Sequence, residues 1–107
     1  MSQVSDFFAA APDKVNKDKI AGMNAVYQFN IDGPDGGQWA VKLADGDASV
    51  IEGAADSPNI TISMTDENFV GLVTGKLNGQ TAFLTGKLKI QGDMTLAMKL
   101  QQVFNFG

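Results

Sequence analysis

Residues 24–64 carry a hydrophobic period of two, and the stretches on either side carry one close to the helical period. Side chains alternate across a strand but return every three or four residues on a helix face, so this chain must combine both elements. Residues 38–43 (QWAVKL) alternate cleanly, with Trp39, Val41 and Leu43 on one face and Gln38, Ala40 and Lys42 on the other. Residues 59–64 (NITISM) repeat the pattern through Ile60, Ile62 and Met64. In residues 24–31, Val26 and Phe29 differ in parity, which predicts a bulge or burial on both faces. Residues 33–37 are turn chemistry, Asp45-Gly46 is a two-residue hairpin signal, and residues 48–52 form the next strand. Short strands joined by tight turns predict an antiparallel meander.

Upstream, Val4, Phe7 and Phe8 have helical spacing, and Pro12 is expected to end or kink their helix. Residues 13–21 add a turn or two, closing at Gly22. Downstream, Thr65 caps a helix with Asp66 and Glu67 in its first turn and a buried stripe of Phe69, Val70, Leu72 and Val73. Gly75 stops it. Asn78-Gly79 turns the chain, residues 80–84 make a short helical turn, and residues 88–91 make one more strand. Asp93 caps a last helix running to about Phe104. No linker interrupts the sequence, so residues 1–107 read as one α+β domain.

Composition removes several functions. Cysteine and histidine are absent, and all eight basic residues are lysine. Thiolate and imidazole chemistry and the two-pronged guanidinium clamp on phosphate are therefore unavailable. The acids sit mainly in wet turns and caps, and no serine stands in a nucleophile elbow. A non-catalytic protein without cofactor or metal is expected. A net charge of −4 argues against nucleic acid as a partner. That charge is unevenly spread. Residues 28–70 hold eight acids against Lys42, whereas residues 71–107 hold Lys76, Lys87, Lys89 and Lys99 against Asp93. The basic third reads either as solvated surface or as a face for transient contact with anionic membranes. The start lacks the basic and apolar regions of an export signal, and no apolar run approaches ~18 residues. A cytoplasmic protein is expected.

The tetrad TGKL occurs at residues 74–77 and again at 85–88. Gly-Lys invites a phosphate-loop reading, which needs Gly, four residues, Gly-Lys and then Ser or Thr. Leu77 and Leu88 stand where the hydroxyl belongs, and Gly71 lies one residue too close to Gly75. The repeat is expected to be structural, with Gly75 as a helix stop and Gly86 as the start of a strand. A calcium loop beginning at Asp45 fails likewise, with Val50 where glycine is needed and Asp56 where glutamate is needed.

The last helix is the most informative segment. At 100° per residue, Val103, Leu96, Leu100, Phe104, Ala97, Met94 and Met98 fill an apolar arc of about 220°, with Gln101 inside it. A helix on one core needs a stripe of little more than ~100°. Either the helix is deeply buried with a satisfied glutamine, or it lids an apolar cavity with Gln101 as a polar contact for a ligand head. Phe7, Phe8, Phe69, Phe83, Phe104 and Phe106 come from separate helical segments, and Met94 and Met98 are adaptable linings. These side chains either fill the core or over-supply it and leave room between helices and sheet.

Residues 69–77 (FVGLVTGKL), Ala82-Phe83, residues 86–94 (GKLKIQGDM) and residues 96–101 (LAMKLQ) resemble the sterol carrier protein 2 domain family in order and spacing. Gly37-Gln38-Trp39 and residues 60–64 (ITISM) fit as well. The resemblance implies a five-stranded, mostly antiparallel sheet covered on one side by helices, with a hydrophobic tunnel between. It implies carriage or presentation of fatty acid, fatty acyl-CoA, phospholipid or sterol, without chemistry. By matched position the lining comprises Trp39, Phe69, Leu72, Val73, Gln80, Phe83, Met94, Met98 and Gln101. Phe8, Val41 and Phe104 join it from the reading of the helical aromatics and of the Trp39 face. The sequence ends Asn105-Phe106-Gly107 rather than in a peroxisomal tripeptide. A stand-alone, prokaryotic-type member is expected, with fatty acid or acyl-CoA as cargo ahead of sterol. The rival expectation is a partner-binding accessory module, a dimer among its forms, whose cavity is filled by its own side chains.

Overall fold

The computed structural model describes residues 3–104, excepting the side chains of Leu100 and Gln101. In chain order the elements are α1 (Gln3–Lys14), α2 (Lys17–Ile20), β1 (Ala25–Asp32), β2 (Gly37–Ala44), β3 (Asp47–Glu52), β4 (Ile60–Thr65), α3 (Asp66–Val73), α4 (Gly79–Leu84), β5 (Lys89–Gly92) and α5 (Met94–Phe104). The strands form one five-stranded sheet in the order β3-β2-β1-β4-β5.

The first three strands are the expected meander. Asp45 (φ 56°) and Gly46 (φ 79°) both take the left-handed conformation that a tight hairpin between β2 and β3 requires. The meander does not continue, however. β4 lies beside β1 and parallel to it, Tyr27 facing Ile60 and Ile31 facing Met64, while the other pairings are antiparallel. A parallel partner needs a crossover. Here it is the segment after β3, which runs over the face of the sheet away from the helices. The Gln28 side chain holds it there: its Oε1 accepts from the Ala55 amide at 2.8 Å and its Nε2 donates to the Gly53 carbonyl at 3.2 Å. Gln28 is therefore buried with its amide paired, and the parity conflict in β1 resolves as burial on both faces with an unbroken register.

On the other face Tyr27, Phe29, Ile31, Trp39, Val41, Leu43, Ile60, Ile62 and Met64 are buried beneath the helices. α1 continues through Pro12 to Lys14 instead of ending there. Val15 still donates to the Ala11 carbonyl at 3.1 Å, so the helical bonding resumes beyond the proline, whose own nitrogen has no proton to give. Thr65 caps α3 by accepting from the Asn68 amide at 3.2 Å, and Asn78 caps α4 by accepting from Thr81 at 3.1 Å.

The repeated TGKL is one device used twice. In each copy the threonine is the C-cap, and the glycine follows with φ near +80°. The lysine amide then reaches back to the third-last helical carbonyl: Lys76 to Gly71 and Lys87 to Ala82, both at 2.8 Å. The glycine amides bond Leu72 (3.2 Å) and Phe83 (3.3 Å), and the threonine hydroxyls bond Val70 (2.7 Å) and Thr81 (2.8 Å). This is the Schellman motif, which satisfies carbonyls a helix end would leave bare. Gly86 is thus a helix stop like Gly75, not the start of a strand.

Candidate functional site between the sheet and its helices

The strands and helices converge on an aromatic cluster. Phe8 of α1 stacks on Trp39 of β2, with centroids 4.6 Å apart and planes 10° from parallel. It also stacks on Phe69 of α3 at 5.2 Å and 16°. Phe7 meets Phe69 edge-on at 5.2 Å. Phe29 of β1 lies 5.2 Å from Phe8 and 5.6 Å from Phe104 of α5. Each such pair contributes roughly 0.5–1.5 kcal/mol beyond the area it buries. Gly37 belongs to this arrangement, because a Cβ there would come within 2.8 Å of the Trp39 ring. The spacing Gly-Gln-Trp is thus what lets the indole lie back along its own strand.

Among the sequence-predicted residues, Phe8, Trp39, Val41, Phe69, Leu72 and Phe104 are buried in this common core. Val73 is half-buried against it. Gln80, Phe83, Met94 and Met98 stand outside: Gln80 is exposed, Phe83 is 42% exposed, Met94 48% and Met98 81%. The side chain of Gln101 and all of Phe106 lie outside the described residues. The wide apolar arc of α5 therefore divides. Its Val103–Phe104 edge is buried, Leu96 and Ala97 are half-buried, and its methionine edge faces water. A cleft of about 420 Å³ on the outer side of α3, walled by Gln3, Glu67, Asn68, Thr74, Lys76 and Leu77 among others, takes in none of the predicted lining.

Tyr27 was not singled out by pattern. It is fully buried, and its hydroxyl donates to the Leu96 carbonyl of α5 at 2.9 Å. Burial, and secondarily the Asp93 carboxylate, push its phenol up to about 12, so it stays a neutral donor tying α5 to the sheet. The available signal was its parity with Ala25, Phe29 and Ile31, since a buried tyrosine needs a hydrogen-bond partner. Asp93 starts α5, accepting from the Thr95 amide at 2.8 Å.

Among the described residues no buried side-chain nitrogen or oxygen lacks a partner, and no group of acids could hold a metal ion. The fold and site define a helix-covered mixed sheet whose interlayer is apolar and aromatic. The sequence profile of the SCP-2 sterol transfer family matches residues 4–105, and the chain belongs to that family. It is 37% identical over 103 residues to hydroxysteroid dehydrogenase-like protein 2 of Bos taurus, covering 95% of this chain and 25% of that protein. The chain thus spans about a quarter of the length of the curated relatives it matches first. Among solved structures it superposes on the sterol carrier protein domain 2 of Helicoverpa armigera with a TM-score of 0.73 and 34% identity, covering 92% of this chain and 80% of that one. On the palmitated sterol carrier protein 2-like 2 of Aedes aegypti the TM-score is 0.74 at 28% identity, covering 94% and 91%.

Proposed function

We propose that this chain binds fatty acyl lipids, without chemistry, in the apolar layer between the sheet and its helices, and that ligand passes on the α4–α5 side. The observation carrying the reading is the contrast in α5. One edge is sealed into the aromatic core, while Met94 and Met98 on the other edge are exposed and flexible. Family membership and the palmitate carried by the Aedes aegypti relative support it. Each methylene taken from water contributes roughly 0.8 kcal/mol, so a long chain could be held by burial alone. Fatty acid and acyl-CoA are the cargo we favour over phospholipid and sterol, in the cytoplasm and in exchange with membranes.

A second reading has its own observation. Phe8, stacked on both Trp39 and Phe69, fills the middle of the interlayer with the protein's own rings. In that case the chain is a partner-binding module with a self-filled core.

Titration with a fluorescent fatty acid, followed by displacement with palmitate, palmitoyl-CoA and cholesterol, separates the two. Saturable binding displaced by acyl ligands supports the carrier and ranks its cargo. Absence of binding in a folded sample rejects it in favour of the partner module, which native mass spectrometry would show as a ligand-free dimer.

A further inference from the structure

The sequence contains no cysteine, so all of its sulfur is methionine, five residues in total. The thioether is then the side-chain group in this protein that a mild two-electron oxidant attacks most readily. The fold ranks these sulfurs sharply. Met64 of β4 is buried in the core at 5% exposure, and Met23 is half-buried against the same core. Met94 and Met98 of α5 are 48% and 81% exposed. Trp39 and Tyr27, the other oxidisable side chains, are buried. An oxidant arriving from water therefore meets the α5 edge first.

Met94 and Met98 form one site, because residues four apart on a helix are neighbours, with Cβ atoms about 5–6 Å from one another. Among the described residues they are also the large apolar side chains that α5 leaves exposed. They stand on the side of the helix away from its anchors. At 100° per residue, Val103 and Leu96 lie about 140° and 160° round the axis from Met98. Val103 is buried, Leu96 is half-buried, and the Leu96 carbonyl accepts from the Tyr27 hydroxyl at 2.9 Å. An oxygen added to Met98 thus enters water and leaves those contacts in place. What changes is the character of the edge, as a flexible apolar thioether becomes a polar sulfoxide. The same oxygen on Met64 would enter the buried layer and damage the fold.

We propose that Met98, with Met94 beside it, is a site of reversible oxidation by peroxides, and that its sulfoxide weakens the hold on acyl lipid while the fold stays intact. The effect on lipid rests on the carrier reading above. The thioether sulfur attacks one oxygen of hydrogen peroxide, and the O–O bond breaks. Sulfur keeps that oxygen and is oxidised by two electrons, while the other oxygen leaves with both protons as water. Reversal takes two thiols from outside the chain, which a methionine sulfoxide reductase joins as a disulfide while the oxygen leaves as water. Cargo is thereby held under reducing conditions and released under oxidising ones, in a protein without cysteine.

The test treats the full chain with dilute hydrogen peroxide and follows each methionine by peptide mass. Met98 is expected to gain oxygen first, Met94 next and Met64 last. After the peroxide is removed, binding of the fluorescent fatty acid is compared with that of untreated protein. Affinity should fall several-fold in the parent and return on treatment with the reductases and a thiol. In Met94→Leu with Met98→Leu, treated and untreated samples of the variant should bind alike. The urea midpoint of the oxidised parent should match that of the untreated parent. Oxidation of Met64 or Met23 as fast as Met98 overturns the site. An unchanged affinity, an equal loss in the leucine variant, or a loss accompanied by a lower urea midpoint overturns the effect. An untreated parent that binds no fatty acid rejects the carrier reading and the effect with it, whereas the order of oxidation, read by mass alone, still decides the site.

Discussion

Phe8 and Leu84 are both large apolar residues on short helices of one small protein, yet the first is 1% exposed and the second 77%. The half containing Phe8, made of α1, α3 and the β1–β2 face, locks its rings into stacked and edge-on pairs. The half containing Leu84, made of α4, β5 and α5, is held more thinly. Ala82 is the buried residue of α4, and α5 is pinned by Val103, Phe104, the Tyr27 hydroxyl and the Asn16 amide, which donates to Val103 at 2.8 Å. Dense packing resists opening and thin packing permits it, so local stability should be divided along the same line. A carrier needs both: one half to define the fold and another to admit a guest.

The largest effect should come from breaking the dense half. Phe69→Ala removes a fully buried ring that touches Phe7, Phe8 and Phe29, and should cost about 3–5 kcal/mol in urea unfolding. A loss under ~1 kcal/mol would mean the aromatic cluster is not what holds the fold. The same substitution would be a poor probe of ligand binding, because folding and lining would fail together.

The next effect belongs to the tether between the halves. Burial raises Tyr27 from 10.0 to about 12, so the unfolded chain gives up this proton before the folded one does. Its contribution is whole below pH 10 and is lost as the pH rises to about 12. The slope approaches ~1.4 kcal/mol per pH unit at most. Tyr27→Phe should remove that alkaline slope and cost about 1 kcal/mol at neutral pH through the lost bond to Leu96. Amide exchange should then quicken in α5 more than in α3. An equal alkaline loss in parent and variant would assign it to other groups.

Much of the dense half was legible because its signals are local. Trp39, Val41 and Leu43 announce a buried strand face by alternation, and Asp45-Gly46 and Thr65 announce their turn and cap by residue type. The parallel seat of β4 beside β1 was not legible, since alternation assigns a face but not a neighbour. Nor was the fate of Met98. An apolar arc of about 220° shows that a helix offers more than one core can cover, but packing alone decides which edge is left over. The second TGKL was misread for a related reason: α4 is a single six-residue helix with one buried residue, so little periodicity marked it as something needing a stop.

Those identical caps allow a sharper comparison. Gly75→Ala and Gly86→Ala each force a residue with a Cβ into φ near +80°, at roughly 1–2 kcal/mol. Space is no obstacle at Gly86, where nothing lies within 4 Å of the added atom. The local cost should therefore be similar, but its expression should differ. Gly75→Ala should lower global stability, because α3 carries Phe69 and Leu72 into the core. Gly86→Ala should appear mainly as faster exchange in α4, with little shift of the urea midpoint. Equal shifts of that midpoint would mean that α4 unfolds only with the whole.

The smallest effect on stability should fall on Met98→Gln. A residue 81% exposed has little burial to lose, so the change should stay within ~0.5 kcal/mol. That near-neutrality makes it the cleanest probe of the thin half. If acyl ligand passes or rests beneath the methionine edge of α5, removing the apolar thioether should weaken fatty acid binding several-fold, or slow its uptake, in a protein that unfolds like its parent. A neutral result in both affinity and uptake would confine the guest to the aromatic side, where any ligand must first displace Phe8 from between its neighbours. Thermodynamics separates the cases further. A guest entering under α5 adds buried apolar surface and should bind with a negative heat-capacity change, whereas one that merely replaces Phe8 exposes a ring as it buries a chain, and that change should be much smaller.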